Sequence, residues 1–170
     1  LQINPKDYKT FLGMAMAYKE KGDLDLMLEN ADKTISLVEG KEKAKKYGDK
    51  AKKLAATELF NTGALEIKSN PAKAVEYLNK SLNYADPSAN TYYYLAIANN
   101  KAKNFSAAIE NANKALELKE DDKSDIYFEL GQAQEGAGNA DAACSAYKNV
   151  TGGNNVEAAK YQITTVLKCN

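Results

Sequence analysis

Residues 92–115, YYYLAIANNKAKNFSAAIENANKA, and residues 127–150, YFELGQAQEGAGNADAACSAYKNV, decide how this chain folds. Tyr92, Leu95 and Ala96 stand at the spacing of one helix face. A turn at Lys103–Asn104 follows, then a second stripe of Phe105, Ala108, Ala112 and Ala115. The second quotation repeats the first: Tyr127, Leu130 and Gly131, a turn at Gly138–Asn139, then Ala140, Ala143, Tyr147 and Val150. Ala96 to Gly131 and Ala108 to Ala143 are both 35 residues. A fixed period of that length marks a helix–turn–helix unit that stacks on its own copies.

The pattern extends toward the N-terminus. Phe11, Met14, Ala15 and Tyr18 lead through a turn at Lys21–Asp23 to Leu24, Met27, Ala31 and Thr34. Between that pair and the quoted ones, Phe60 and Gly63 precede a turn at Asn70–Pro71. Ala74, Leu78 and Ser81 then lie 34 residues before Ala108, Ala112 and Ala115. Proline suits the first turn of a helix, where its missing N–H has no partner to lose. Ala15, Gly63, Ala96 and Gly131 fall at one place in the repeat. Two helices about 8–10 Å apart need a small side chain where their backbones cross. Tyr18, Tyr92 and Tyr127 fill the wedge between neighbouring copies. A single hairpin cannot cover its own apolar face, so stacking supplies the core and the ends need caps. Val156 to Leu167 reads as such a cap, with Ala159, Ile163, Val166 and Leu167 turned onto the last hairpin and Lys160 and Lys168 left to water.

With its 34–35-residue period and its small and aromatic positions, the sequence resembles the tetratricopeptide repeat family over nearly its whole length. Leu130-Gly131 with Gly138 and Ala143, and Met14-Ala15-Tyr18 with Gly22, carry the likeness most strongly. Asn99 and Gln134 depart from it, standing where the family places a large apolar residue. The resemblance implies an all-α, right-handed superhelix of antiparallel hairpins with a C-terminal capping helix. It predicts one array over residues 1–170, with copies at 5–39, 54–86, 88–120 and 123–152 and the cap at 155–168. It implies no catalysis and no cofactor, but a protein or peptide partner held in a concave groove lined by the first helix of each hairpin. The matching positions are Leu12, Phe60, Tyr93 and Phe128, and one turn on, Met16, Ala64, Ile97 and Gln132. Lys9, Asn90, Asn100, Lys101, Asp125 and Glu135 would form a polar rim. Family members that grip a C-terminal carboxylate use paired Lys and Asn in this groove. Here Leu12, Met16, Asn90 and Tyr94 occupy those places and only Asn61 matches, so a hydrophobic or helical ligand is favoured.

Met27 to Ala74 is 47 residues, longer than the later period, and the excess maps to residues 40–53. Lys41, Lys43, Lys45, Lys46, Lys50, Lys52 and Lys53 there face only Glu42 and Asp49. The helical stripe persists through Ala44, Tyr47, Ala51, Leu54 and Ala55. An elongated helix overhanging the array by roughly 20 Å is expected, with Gly48 as a place where it could break. The ammonium cluster would dock an acidic partner or an anionic membrane surface, or simply be solvated. Residues 117–129 carry six acids against two lysines, an asymmetry that head-to-tail self-association would use.

Composition narrows the chemistry. The 170 residues hold 23 cations, all lysine, against 23 acids, with no His and no Trp. Zero net charge removes the footprint of a general nucleic-acid binder. Without His the commonest neutral-pH base and metal ligand are missing, so no catalytic or metal set is assigned. Carboxylate pairs such as Asp121–Asp122 fall where acids favour helix starts. The glycines at 131, 136 and 138 follow a helix, with no Gly-Lys-Ser/Thr, and so do not form a phosphate loop. Tyr92, Tyr93 and Tyr94 diverge by about 100° each and make no stacking platform. Cys144 and Cys169 either pair or remain two thiols, and the compartment stays open between cytoplasm and export. A binding scaffold ranks first, self-association second, a membrane-surface accessory third and an enzyme last.

Overall fold

The computed structural model describes residues 7–169; residues 5 and 6 of the first expected copy lie outside it. The described residues form helices α1 (Tyr8–Lys21), α2 (Leu24–Val38), α3 (Lys45–Glu66), α4 (Pro71–Ser81), α5 (Ala89–Lys101), α6 (Phe105–Leu118), α7 (Ser124–Gly136), α8 (Ala140–Lys148) and α9 (Val156–Tyr161). No strand occurs among them. Short polar side chains start the helices by taking otherwise unpaired N–H groups. Asp7 accepts from Lys9 N, Asp23 from Leu26 N, Asn70 from Lys73 N and Ser88 from Thr91 N, all at 3.0–3.2 Å. Gly22 ends α1 at φ 74°, a left-handed conformation that glycine adopts without penalty.

Two compact units make up the chain: residues 7–62 with Lys80–Asp86, and Gly63–Asn79 with residues 87–169. Within the first, Leu12, Ala15, Met27, Ala31, Ala51 and Ala55 form the core, and Tyr84 packs against it. The Tyr84 hydroxyl donates to Asp32 Oδ1 at 2.9 Å. Burial, then that bond and the Asp32 charge, push the phenol up to about 12. In the second unit α5 pairs with α6 and α7 with α8, and α5 also packs on α7. Its cores gather around Ala96, Ala112, Ala115 and Ile126, and around Ala143, Tyr147, Val150 and Ala159.

Side-chain sizes compensate at the hairpin crossings. Ala15 and Ala31 are both fully buried in one core, as are Ala96 and Ala112 in another. Where the second helix instead carries a large residue, the first carries glycine. A Cβ on Gly63 would sit 2.8 Å from Leu78 Cγ, and one on Gly131 would sit 2.5–2.8 Å from the Tyr147 ring. Gly13 is the opposite case: it is exposed within α1 and nothing lies within 4 Å of an added Cβ. Gly13→Ala should therefore stabilise the protein by about 0.5–1 kcal/mol through helix propensity and a less free unfolded chain. A higher urea midpoint at unchanged slope would register it.

Asn99 and Gln134 serve the turns. Asn104 Nδ2 donates to Asn99 Oδ1 at 3.4 Å, and 35 residues on Asn139 Nδ2 donates to Gln134 Oε1 at 2.9 Å. The same pairs close the backbone, Asn104 N to Asn99 O and Asn139 N to Gln134 O, each at 2.8 Å. A polar pair thus fixes each turn in place of the large apolar residue.

Two expectations need correction. The Lys-rich stretch does not overhang. It opens with a 3₁₀ turn, Glu42–Ala44, and α3 then buries Gly48, Ala51, Ala55 and Leu59 along one stripe. Gly48 leaves the helix unbroken and admits the end of α2, since a Cβ there would lie 2.7 Å from Val38 Cγ2. In the cap, Ala159, Val156, Ile163 and Leu167 pack on the last hairpin, whereas Val166 is 46% exposed. The reason is the π-helical turn Gln162–Val166, whose wider winding rotates Val166 out of phase. Cys169 closes the cap, joined to Cys144 on α8 by a disulfide with Cα atoms 5.8 Å apart. Ser124 Oγ holds the preceding loop by accepting from Gly152 N at 2.9 Å.

Candidate protein-docking face

The expected groove residues divide between the two units. In the first, Met16 is 57% exposed and Phe60 is half-buried. Leu12 is only 8% exposed and belongs to the core. Ala51 and Ala55 of α3 share its cluster, so the packed Lys-rich helix covers the position that a regular repeat would leave open. Leu12 is therefore removed from the contact set. The half-buried Ala64 falls in the second unit.

The other four lie in the second unit, on two helices that pack on each other. Tyr93 and Ile97 on α5, and Phe128 and Gln132 on α7, are all half-buried. Phe128 contributes to packing as well: its ring centroid lies 5.7 Å from that of Tyr147. Tyr93 meets Tyr94 edge-on at 5.7 Å. Asn100 Nδ2 ties α5 to α7 by donating to the backbone O and the Oε2 of Glu129, both at 2.9 Å. Glu129 was not among the expected rim residues. It lies one turn beyond Asp125 on α7. Glu135, which was among them, is instead occupied by the Tyr147 hydroxyl at 2.9 Å.

Electrostatics follow from this burial. Glu129 is pushed above the usual carboxylate range, chiefly by desolvation and further by Asp125, while the Asn100 bond and Lys101 oppose the shift. The Tyr93 phenol rises to about 12 through burial first, then through Glu129 and Asp125. A carboxyl whose folded pKa is raised favours folding while protonated, and that contribution disappears as pH climbs through the folded value. Glu129→Gln should accordingly raise the melting temperature at neutral pH and leave it nearly unchanged at pH values below the ordinary glutamate range. Melting curves for both proteins across that pH interval are the check.

A cleft of about 500 Å³ opens at the start of α5 and α7. Tyr93, Leu118 and Ile126 supply its apolar lining, and Glu120, Asp121, Asp122 and Asp125 its charge, with Lys119 the one cation. In the first unit all seven lysines from Lys41 to Lys53 are exposed. Lys41 Nζ donates to Leu37 O at 2.6 Å, and Lys45 pairs with Asp49 at 3.4 Å. Lys46 lies over the Tyr47 ring at 5.3 Å. Among the described residues no group of three or more His, Cys, Asp or Glu could hold a metal ion. No helix among them is long and apolar enough to cross a membrane.

The fold is similar to that of MamA. One solved MamA structure superposes at a TM-score of 0.53 with 23% sequence identity, covering 84% of this chain and 70% of that one. A second gives 0.52 and 24%, covering 81% and 72%. At such identity the likeness to MamA concerns architecture alone: an all-α fold of stacked antiparallel hairpins. No family model matches the sequence, and no curated protein matches it.

Proposed function

We propose that this protein is a non-catalytic scaffold of the tetratricopeptide type that binds a peptide or helix of another protein. The observation that carries the reading is the side-by-side packing of α5 and α7, the first helices of two successive hairpins. Together they leave Tyr93, Ile97, Phe128 and Gln132 partly open. Apolar and aromatic side chains beside polar groups suit an amphipathic ligand that inserts its own anchors. Full cover of an aliphatic or aromatic side chain is worth about 1.5–3 kcal/mol, so two such anchors contribute about 3–6 kcal/mol before the cost of association.

Phe128 also packs in the core, so the cleaner probe is Ile97→Lys, which places a charge on the face without emptying the interior. Peptides selected from a random displayed library on the wild-type protein should lose at least about tenfold in affinity for Ile97→Lys. The circular dichroism melt should meanwhile be preserved. Equal binding by the two folded proteins would reject this face as the docking site.

A further inference from the structure

The two charged surfaces described above are complementary, and both are open. On α3, Lys46, Lys50 and Lys53 follow one another at i, i+4 and i+7 and are exposed along a single stripe. It lies opposite the buried stripe of Gly48, Ala51 and Ala55. Successive Cα positions of the three lysines are about 6 Å and about 4.5 Å apart along the axis. Among the described residues Lys50 and Lys53 form no ion pair, and nearby Lys43 and Lys52 form none either. In the second unit, the cleft beside Tyr93 and Leu118 sets four carboxylates against one ammonium. Lys119 is already engaged with Asp121 at 3.1 Å. Leu118 is 49% exposed there, a large apolar side chain at the lip of a charged cleft. Lysine stems are aliphatic for most of their length and cover apolar surface while their heads stay polar.

We infer that the cleft at the start of α5 and α7 takes the Lys46–Lys50–Lys53 stripe of a second copy of this chain. The contact is heterologous: a different patch is used on each partner, so a pair of copies leaves one cleft and one stripe free for further copies. It deepens the scaffold reading and rests on the α5–α7 face being open to a protein. Exposed charge pairs are individually weak. The association is therefore a multiple-pair contact that weakens as added salt shortens the Debye length.

Sedimentation of the full chain tests this. At about 20 mM salt the mean mass should grow with protein concentration beyond the 18.5 kDa of one chain. It should fall back to that value at about 300 mM. Lys46→Glu/Lys50→Glu/Lys53→Glu and, separately, Glu120→Lys/Asp121→Lys should each stay monomeric. A mixture of these two variants should reach twice the single-chain mass at low salt, because each supplies what the other has lost. A wild type that remains monomeric up to millimolar concentration at low salt overturns the inference. So does a mixture of variants that stays monomeric. A monomeric wild type retained by phosphatidylserine vesicles, with the triple-glutamate variant released, would assign the stripe to a membrane surface and reject the second copy. Ile97→Lys keeps the two proposals apart: it should weaken peptide capture by at least about tenfold while leaving the salt-sensitive mass increase intact.

Discussion

Tyr147→Ala should destabilise the second unit by about 3–5 kcal/mol, the range for emptying a buried aromatic site. Tyr147 is 1% exposed, stacks obliquely on Phe128 and fills the space that Gly131 leaves on α7. Gly131→Ala attacks the same contact from the other side. Its new methyl would meet a ring held by the Glu135 hydrogen bond and by close packing, at an expected cost of about 1–3 kcal/mol. Combined, the two changes recreate the Ala–Ala pairing of Ala96 with Ala112. In the Tyr147→Ala background, Gly131→Ala should therefore turn stabilising, since the steric conflict is gone and alanine favours the helix by about 1 kcal/mol. A double-mutant cycle by urea unfolding reads the coupling, expected to exceed about 1 kcal/mol. Additive effects would mean that the ring and the glycine do not share one space. Tyr147→Phe is the milder control. It removes only the bond to Glu135, expected to be worth about 0.5–1.5 kcal/mol.

That size exchange also marks how far the sequence could be read. Met27, Ala74, Ala108 and Ala143 are all fully buried, as their common place in the repeat requires. Periodicity reveals such positions because every copy meets its neighbour in the same way. Leu12 escaped the rule because its cover comes from Ala51 and Ala55, which belong to the stretch that breaks the period. The Lys-rich run was legible as a helix but not as a packed one. Its buried stripe is made of Gly48 and alanines, whose small side chains give a faint hydrophobic signal beside seven lysines. Ile97 and Gln132 could be placed on their helices from spacing, whereas the Asn100–Glu129 link needed the separation of α5 and α7. The acids of residues 117–129 were visible as charge, and the cleft they line is a property of the loop between α6 and α7. The cysteine pairing was equally out of reach, because 25 residues and a reversal of the chain separate the partners.

That pairing bears on the shortest α-helix among the described residues, the cap. Reduction, or Cys169→Ser, should lower its stability by roughly 3.5 kcal/mol, the chain-entropy value for a loop closed over 25 residues. The loss should also be local. The cap consists of six α-helical residues and one π turn, too short to hold a helix unaided. Ala159, Ile163 and Leu167 attach it to Tyr147 and Val150. Once Cys169 is released, those contacts, the packing of Val156 and local bonds such as that from Cys169 N to Ile163 O at 2.8 Å are left to oppose fraying. Fast amide exchange in residues 156–167, with α5 and α6 still protected, is the expected signature. The change at the cap corresponds to a loss of protection of roughly 300-fold for about 3.5 kcal/mol. Equal protection with and without a thiol reductant, once thiol titration confirms that the bond has opened, would show that packing alone retains the cap. The disulfide would then act only on the unfolded chain.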